Sequence, residues 1–328
     1  MLKMFMAAGG MSALVFAAWR LGVFGKGGRS SFHAASDDFT SGLRSKSTAT
    51  VAAGASMLGA GMAIAGACPG MVLIQVGSGV QNSVYTFAGC IVGAYCAETF
   101  HHQPEAGGKA AAAGTSAGAG LLFNTPTATL LLGAVLFGVA IGADVLRPWT
   151  DDVDEDASAL WFSGHFGVGS AFYISPVLAG ALVGALQLAA VGLFQDTLGS
   201  ATSYVHGLSY VCGHGCFERF QKPGFTTAWQ LPYVIGAIGG GFASAMAAGT
   251  VGSNVGLPPL KSFVGGLLLL YGSRLAGGCT SGHGLSGLAL GSLHAWVAVP
   301  AMFGGGIATA FAMKAAGLFV DCTDNCAW

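Results

Sequence analysis

Long stretches without a charged residue dominate the hydrophobic pattern of this chain. Each is longer than the roughly 20 apolar residues that cross a bilayer as a helix. They run over residues 47–97, 110–143, 157–195, 223–260 and 275–313. Apolar and polar residues do not alternate at every second position within them, which argues against an outer-membrane barrel. The pattern predicts an all-α polytopic membrane protein, with one transmembrane domain over residues 1–328 and the lipid bilayer as its solvent.

The same pattern predicts where helices begin and end. They are expected near residues 2–20, 49–66, 82–100, 127–146, 170–194, 229–249, 261–276 and 294–314. Residues 20–46 are expected to form a polar connector, and the region around Cys212 a polar, glycine-rich stretch between helices. Residues 67–81 are too few to cross the membrane and return, so they predict a re-entrant half-helix.

Two glycine-rich breaks interrupt the apolar runs, and each contains a cysteine. When Cys68 is aligned with Cys279, an opening glycine and an Ala-Gly pair also coincide without a gap. This agreement indicates an internal duplication into two pseudo-symmetric halves, each with a re-entrant broken half-helix. The expected repeat cores are residues 49–147 and 229–316, with connecting helices and loops over residues 148–228.

Composition agrees with a membrane protein. Only 8% of the residues are charged, compared with about 25% in soluble domains. The net charge of -1 implies no polyanionic partner, so nucleic acid is not expected. The eight cysteines include no Cys-x-x-Cys pair, and no cofactor, metal site or enzymatic activity is predicted.

Charged residues concentrate in the connectors. Basic residues fall in 20–46 and 218–222, whereas residues 151–156 are strongly acidic. With the breaks counted as re-entrant, the two basic connectors lie on one side of the membrane. The positive-inside rule then places them and the C-terminus in the cytoplasm.

The two breaks are candidates for a substrate site, because broken helices in corresponding positions of two repeats indicate the site of a transporter. A half-helix that begins after each cysteine would direct free backbone N–H groups at a bound anion. Glycines would let the backbone approach the ion closely. The second break adds hydroxyl and imidazole donors. The candidate binding residues are Cys68, Cys279, Gly66, Pro69, Gly70, Gly278, Thr280, Ser281, Gly282, His283 and Gly284.

The two thiols favour a soft, sulfur-bearing anion over a hard oxyanion, since sulfur is polarizable and a thiol is a weak donor. The thiols are expected to stay protonated. A thiolate about 4 Å from an anion would repel it by roughly 4 kcal/mol at an effective dielectric constant of 20.

Several other residues are weaker candidates. Gln75 is a polar neighbour of the first break. Arg274 precedes the second break, where it attracts the anion toward the entrance, extends to the membrane surface or pairs with a carboxylate such as Asp144. Cys90, with Cys96 on the same apolar helix, is expected to pack in the core.

The Cys212-Gly-His214-Gly-Cys216 stretch repeats a Gly-His-Gly that also occurs in the second break. Three roles remain open for it: a third element lining the path, a metal site or a disulfide pair.

The stretches Ala-Gly-Ala-Cys68-Pro-Gly and Gly-Ser-Arg-Leu-Ala-Gly-Gly-Cys279-Thr-Ser-Gly-His-Gly-Leu-Ser-Gly287 resemble the two signature motifs of the YeeE/YedE family of sulfur-compound transporters. The resemblance extends from Ala49 to Phe311. It implies two pseudo-symmetric helical halves and a thiosulfate path lined by cysteines that contact the ion through S–H hydrogen bonds. By motif, Cys68 and Cys279 would be the path cysteines.

The resemblance also implies a third important cysteine, for which Cys90, Cys96 and Cys212 are the candidates. Residues 1–5 resemble the start of a second helix in related proteins, which implies that a first helix is absent from this sequence.

The hypothesis that follows is an integral, multi-pass membrane transporter or facilitator for thiosulfate or a related small sulfur-containing anion. Two alternatives remain open. One is a membrane thiol-disulfide oxidoreductase that uses either Cys212 and Cys216 or Cys68 and Cys279. The other is a membrane anchor for a sulfur-carrier or rhodanese-like protein.

Overall fold

The computed structural model describes residues 2–44, 46–100, 122, 125–148, 175–212 and 229–317. All regular structure in these ranges is helical, and they contain no β-strand. The helices are α1 (Leu2–Leu21), α2 (Gly25–Arg44), α3 (Thr48–Ala65), α4 (Pro69–Ser78), α5 (Ser83–Phe100), α6 (Pro126–Leu146), α7 (Pro176–Ala185), α8 (Gln187–Phe194), α9 (Ala201–Val211), α10 (Gln230–Ala247), α11 (Pro259–Ala276) and α12 (Leu293–Ala315). Between α11 and α12, residues 280–290 form a second half-helix whose centre, Gly282–Gly287, is π-helical.

Five segments of the described chain are long and apolar enough to cross a membrane. They are Lys3–Leu21, Thr48–Ser78, Pro126–Leu146, Pro176–Phe194 and Leu293–Ala315. Each coincides with a stretch that the hydrophobic pattern predicts to be helical. The predicted all-helical, polytopic membrane fold is therefore confirmed.

Helix α2 corrects the sequence-based expectation. Residues 20–46 are predicted to be a polar connector, yet most of them form a helix. Phe32, Ala35 and Leu43 recur at helical spacing and are buried, while the opposite face is polar and exposed. The segment has only a narrow apolar stripe among its polar and charged residues, and this stripe packs on the rest of the protein.

The structure differs from the sequence-based prediction at two further places, both between α7 and α10. The helix predicted over residues 170–194 is divided at Leu186, which separates α7 from α8. The polar stretch before Cys212 contains α9, which buries Tyr204 and Val205. Its small and polar residues pack against the neighbouring helices, so the low hydrophobicity of this stretch does not indicate a connector between helices.

Helices α3 and α11 pack in antiparallel directions through a glycine seam at the centre of the molecule. Gly54 lies against the backbone of Ala276, and Gly61 lies against the backbone of Leu269. A Cβ atom at either glycine would overlap the facing backbone. Small residues therefore allow the two helices to approach this closely.

The neighbours of this seam are arranged reciprocally. Helix α5 packs on α11, and α12 packs on α3. Helix α4 packs on α10, whereas the second half-helix packs on α1. Helices α6 and α7 complete the outer layer by packing against α1.

Candidate functional site

The first break begins at Gly66. This residue ends α3 in the left-handed conformation with a φ of 64°. Cys68 is then extended at the N-cap position of α4, and Pro69 occupies the first turn of that helix, where its missing N–H leaves no hydrogen bond unmade. The backbone amides of Gly70 and Met71 face the Sγ atom of Cys68, although the thiol makes no regular capping hydrogen bond. The thiol therefore lies at the positive end of a short helix.

Helix α4 has the length of a half-helix. It contains 10 residues, and at 1.5 Å per residue it spans about 15 Å. The hydrocarbon core of a bilayer is about 30 Å thick. The predicted break and the short helix that follows it are both confirmed.

The second break has the same local construction. Gly277 ends α11 in the left-handed conformation with a φ of 83°, and the helix resumes after Cys279. The Sγ atom of Cys279 lies 3.1 Å from the Oγ atom of Ser281. The backbone amide of Gly282 also faces this sulfur. Cys279 is 1% exposed, so its thiol is almost fully enclosed by protein.

The glycines of the second break make room for two rings. Gly278 lies beneath the imidazole of His283, and Gly284 lies beneath the ring of Phe5 from α1. A Cβ atom at Gly284 would overlap the Phe5 ring. These glycines therefore allow α1 and the histidine to pack tightly around the start of the half-helix.

The two breaks meet in the interior. The Ser200 hydroxyl lies 3.5 Å from the Sγ atom of Cys279, and it would lie 3.4 Å from a Cβ at Gly70, two residues after Cys68. The hydroxyl of Thr280 also contacts the Sδ atom of Met62 at 3.4 Å, which joins the second break to α3. Ala67 and Cys279 belong to one buried cluster. Two half-helix starts that are far apart in the sequence are thus neighbours in space.

Three hydroxyl-bearing residues complete this region, and sequence reasoning missed all of them. The Oγ atom of Ser200 lies 3.5 Å from the Sγ atom of Cys279. The hydroxyls of Ser200 and Tyr233 are neighbours, and both lie beside the Cα atom of Gly70. The Tyr204 hydroxyl donates to the carbonyl of Pro69 at 2.7 Å.

No motif marks these three residues. Ser200 is a small residue in a short connector. Tyr204 lies in the polar helix α9, and Tyr233 lies in the apolar helix α10. We use the term waist for the region formed by Cys68, Gly70, Ser200, Tyr233, Cys279 and Ser281.

Comparison with known protein families identifies the chain. A family model described as sulphur transport matches residues 1–308, which include both breaks and the whole waist. The chain belongs to this family. No curated protein matches the sequence. The family and the apolar helices together establish an integral, multi-pass membrane protein that transports sulfur compounds.

The remaining cysteine candidates of this sulphur transport protein lie around the waist. Cys90 is fully buried in α5 and belongs to the same buried cluster as Cys279. Cys212 follows α9 and packs at the edge of the same buried cluster. His214 and Cys216 lie outside the described residues. Of the polar neighbours of the first break, Gln75 is partly exposed on α4, about two turns beyond Cys68.

Arg274 of the sulphur transport protein forms an ion pair with a carboxylate. Its Nε atom lies 2.6 Å from the Oε1 atom of Glu98, and the two side chains are 17% and 4% exposed, respectively. The partner suggested from sequence, Asp144, instead contacts Lys3 at 2.9 Å. Pairing with a carboxylate is one of the alternatives that the sequence leaves open for Arg274, and the partner is Glu98 because helix packing brings α5 rather than α6 next to α11.

The imidazole of His283 lies against the end of α11 and Gly278. Its Nε2 atom lies 3.3 Å from the carbonyl oxygen of Ala276, and its side chain is 1% exposed. His294 and Lys46 are its electrostatic neighbours. The ammonium of Lys46 donates to carbonyl groups at the end of α11. His283 therefore packs behind Cys279 in a polar group that includes a cation.

The cysteines of the described chain are unpaired. Cys68, Cys90, Cys96, Cys212 and Cys279 are all free thiols. No three histidine, cysteine, aspartate or glutamate side chains are grouped for metal binding within the described ranges.

Proposed function

We propose that this sulphur transport protein moves thiosulfate, or a related small sulfur-containing anion, past the thiols of Cys68 and Cys279. The observation that carries this proposal is the convergence of two half-helix starts, each directly preceded by a cysteine, on one buried region. Both helix ends present backbone amides and a partial positive charge to the same place. A small anion is the ligand that suits such an arrangement.

The donor set favours an ion that carries both sulfur and oxygen. The thiols of Cys68 and Cys279 are weak donors and polarizable neighbours, which suit a sulfur atom. The amides near each thiol suit negatively charged oxygen. Because each donor contributes only a small binding free energy, the ion binds weakly enough to be released. No covalent bond to sulfur is needed.

The thiols act in their protonated form in this proposal. A thiolate about 4 Å from the anion would repel it by roughly 4 kcal/mol at an effective dielectric constant of 20. A relay through S–H groups therefore requires both cysteines to remain free and neutral. Neither cysteine is in a disulfide, which supports the first part of this requirement.

We further propose that the two breaks belong to duplicated halves. In one half, α3 and α5 flank the half-helix α4. In the other, α11 and α12 flank the second half-helix. The reciprocal packing of α5 on α11 and of α12 on α3 supports this relationship. The substrate then passes between equivalent positions, as in transporters with inverted repeats.

The test is uptake of radiolabelled thiosulfate by cells that lack other thiosulfate importers. Cys68→Ala and Cys279→Ala should each abolish most uptake while the protein still inserts in the membrane. Cys96→Ala is the matched control, because Cys96 is a free thiol on α5 that is not part of the waist. Normal uptake by both waist variants would overturn the proposed route and would favour a role as a membrane anchor for a sulfur-carrier protein.

Thiol labelling separates transport from thiol-disulfide exchange. The transport proposal predicts that each of Cys68 and Cys279 is labelled to the same extent before reduction as after it. A thiol-disulfide oxidoreductase would instead contain a pair that labels only after reduction. A reducible pair formed by Cys68 and Cys279 would contradict the S–H relay.

A further inference from the structure

The connector between α8 and α9, residues 195–200, is held rigidly against the second half-helix. The side chain of Gln187 is fully buried. Its Nε2 atom donates to the Oγ atom of Ser286 at 2.7 Å, and its Oε1 atom accepts from the N–H of Leu198 at 3.2 Å. Ser286 in turn donates to the Leu198 carbonyl at 2.9 Å. This closed set of three hydrogen bonds fixes the connector from one side.

The start of α10 holds the same connector from the other side. The carboxylate of Asp196 accepts hydrogen bonds from Nε1 of Trp229 at 3.0 Å and from Nε2 of Gln230 at 3.4 Å. The Oε1 atom of Gln230 accepts from the hydroxyl of Ser203 at 2.5 Å. A short connector with this many buried partners has little freedom to move.

The consequence is a fixed position for Ser200, which is 2% exposed. Its hydroxyl contacts the sulfur of Cys279 at 3.5 Å, and its backbone N–H donates to the Ser281 hydroxyl at 3.4 Å. The Tyr233 hydroxyl is a neighbour of the Ser200 hydroxyl. Three hydroxyl groups thus lie beside the Cys279 thiol and the start of the first half-helix.

Ser200 comes from neither break. It reaches the waist only because Gln187 and Asp196 hold the connector there, so it forms a third wall between the two half-helices. The Cα atom of Gly70 faces this wall, and a Cβ at that position would lie 3.4 Å from the Ser200 hydroxyl and 3.5 Å from the Tyr233 hydroxyl. The first half-helix therefore also lies next to these hydroxyls.

We propose that Ser200, together with Tyr233 and Ser281, determines specificity by binding the oxygen-bearing end of the transported anion, while the thiols contact its sulfur end. This inference rests on the proposed function. Hydrogen bonds from a hydroxyl to charged oxygen are short and roughly twice as strong as neutral ones, whereas a thiol is a weak donor. The waist therefore selects ions that carry a sulfonate-like group and a terminal sulfur atom, over ions that carry only one of the two.

The test compares two competitors of thiosulfate uptake. Sulfate carries only oxygen at its surface, and thiocyanate offers sulfur without oxygen. In the unaltered protein, both should inhibit weakly, since sulfate suits only the hydroxyl donors and thiocyanate suits only the thiols. In Ser200→Ala, the half-saturating thiosulfate concentration should rise about tenfold, which corresponds to loss of one charge-assisted hydrogen bond. Thiocyanate should then inhibit about tenfold more strongly relative to thiosulfate.

Three further variants complete the test: a conservative substitution, an alternative hydroxyl deletion and a control. Ser200→Thr retains the hydroxyl and should restore most of the discrimination. Tyr233→Phe removes a hydroxyl without altering the connector, so it serves if Ser200→Ala is poorly folded. Ser78→Ala is the matched serine control, because Ser78 lies at the far end of α4, where its hydroxyl only contacts the Gln75 carbonyl.

Gln187 should act through Ser200 as a positioning residue. Gln187→Leu should shift the ratio of thiocyanate to thiosulfate inhibition in the same direction as Ser200→Ala. The double variant should be no worse than the stronger single variant, because both changes remove the same contact.

The outcomes separate the two proposals. If the unaltered protein takes up no thiosulfate, the proposed function and this inference both fail. If it does take up thiosulfate, and Ser200→Ala and Tyr233→Phe keep the unaltered competition ratio, only the specificity role of the hydroxyls is overturned.

Discussion

Arg274 and Glu98 form an ion pair, with 2.6 Å between the Nε and Oε1 atoms. The pair joins the end of α5 to the last turn of α11, directly before the second break. Both residues lie in helices that pack along the central seam. The ion pair thus fixes the position from which the chain turns toward Cys279.

Glu98→Ala should lower the free energy of unfolding by about 3 kcal/mol, because it removes the nearly buried partner of a charged group. Thermal unfolding of the purified protein in detergent measures the change. Asp144→Ala is the control, since Asp144 and Lys3 form a more exposed pair with 25% and 17% exposure. Loss of that pair should cost less than about 1 kcal/mol. Equal losses in the two variants would contradict a structural role for the Glu98 pair.

Gly70→Ala should reduce transport without destabilising the fold. The added Cβ would meet Ser200 and Tyr233 at ordinary contact distances, and alanine is the better helix former by about 1 kcal/mol. The protein should therefore keep its thermal stability, while thiosulfate uptake falls because the methyl group occupies the waist.

Gly77→Ala is the matched variant on the same helix. A Cβ there would overlap the carbonyl of Ile238 in α10, so overpacking should cost about 1–3 kcal/mol of stability. If Gly70→Ala loses as much stability as Gly77→Ala, or transports normally, the assignment of Gly70 to the waist is wrong.

The two waist thiols should differ in reactivity. Cys68 is partly exposed, whereas Cys279 is 1% exposed. A water-soluble thiol reagent should modify Cys68 faster than Cys279 in variants that retain one waist cysteine each. Thiosulfate should slow both reactions, because the ion would lie between the two thiols. Mass spectrometry of the labelled protein gives the rates, and protection by sulfate as strong as that by thiosulfate would argue against selection of sulfur.

Tyr204→Phe should weaken the start of the first half-helix. The Tyr204 hydroxyl is the donor in a buried 2.7 Å hydrogen bond to the carbonyl of Pro69, which comes directly after Cys68. Its removal should cost about 1 kcal/mol in thermal stability and should reduce uptake. Tyr85→Phe provides the comparison, because Tyr85 is 50% exposed. The same loss in both variants would show that the Pro69 hydrogen bond has no special importance.

Much of the fold follows from the sequence alone. Helix positions follow from the lengths of the apolar runs, since a bilayer requires about 20 such residues in each spanning helix. The two breaks follow from local chemistry. Gly66 and Gly277 adopt the left-handed conformation that glycine accepts most readily, and Pro69 fits the first turn of the helix after Cys68. Repetition of this pattern was enough to single out Cys68 and Cys279.

Tertiary structure alone decided which residues surround those thiols. Ser200 reaches Cys279 because Gln187 and Ser286, far apart in the chain, hold a connector in place. Nothing local distinguishes this serine from others in small-residue stretches. Glu98 likewise meets Arg274 only because glycines let α5 approach α11. Local composition determines where a helix breaks, whereas contacts across the waist depend on how separate helices pack, and that packing is a property of the whole chain.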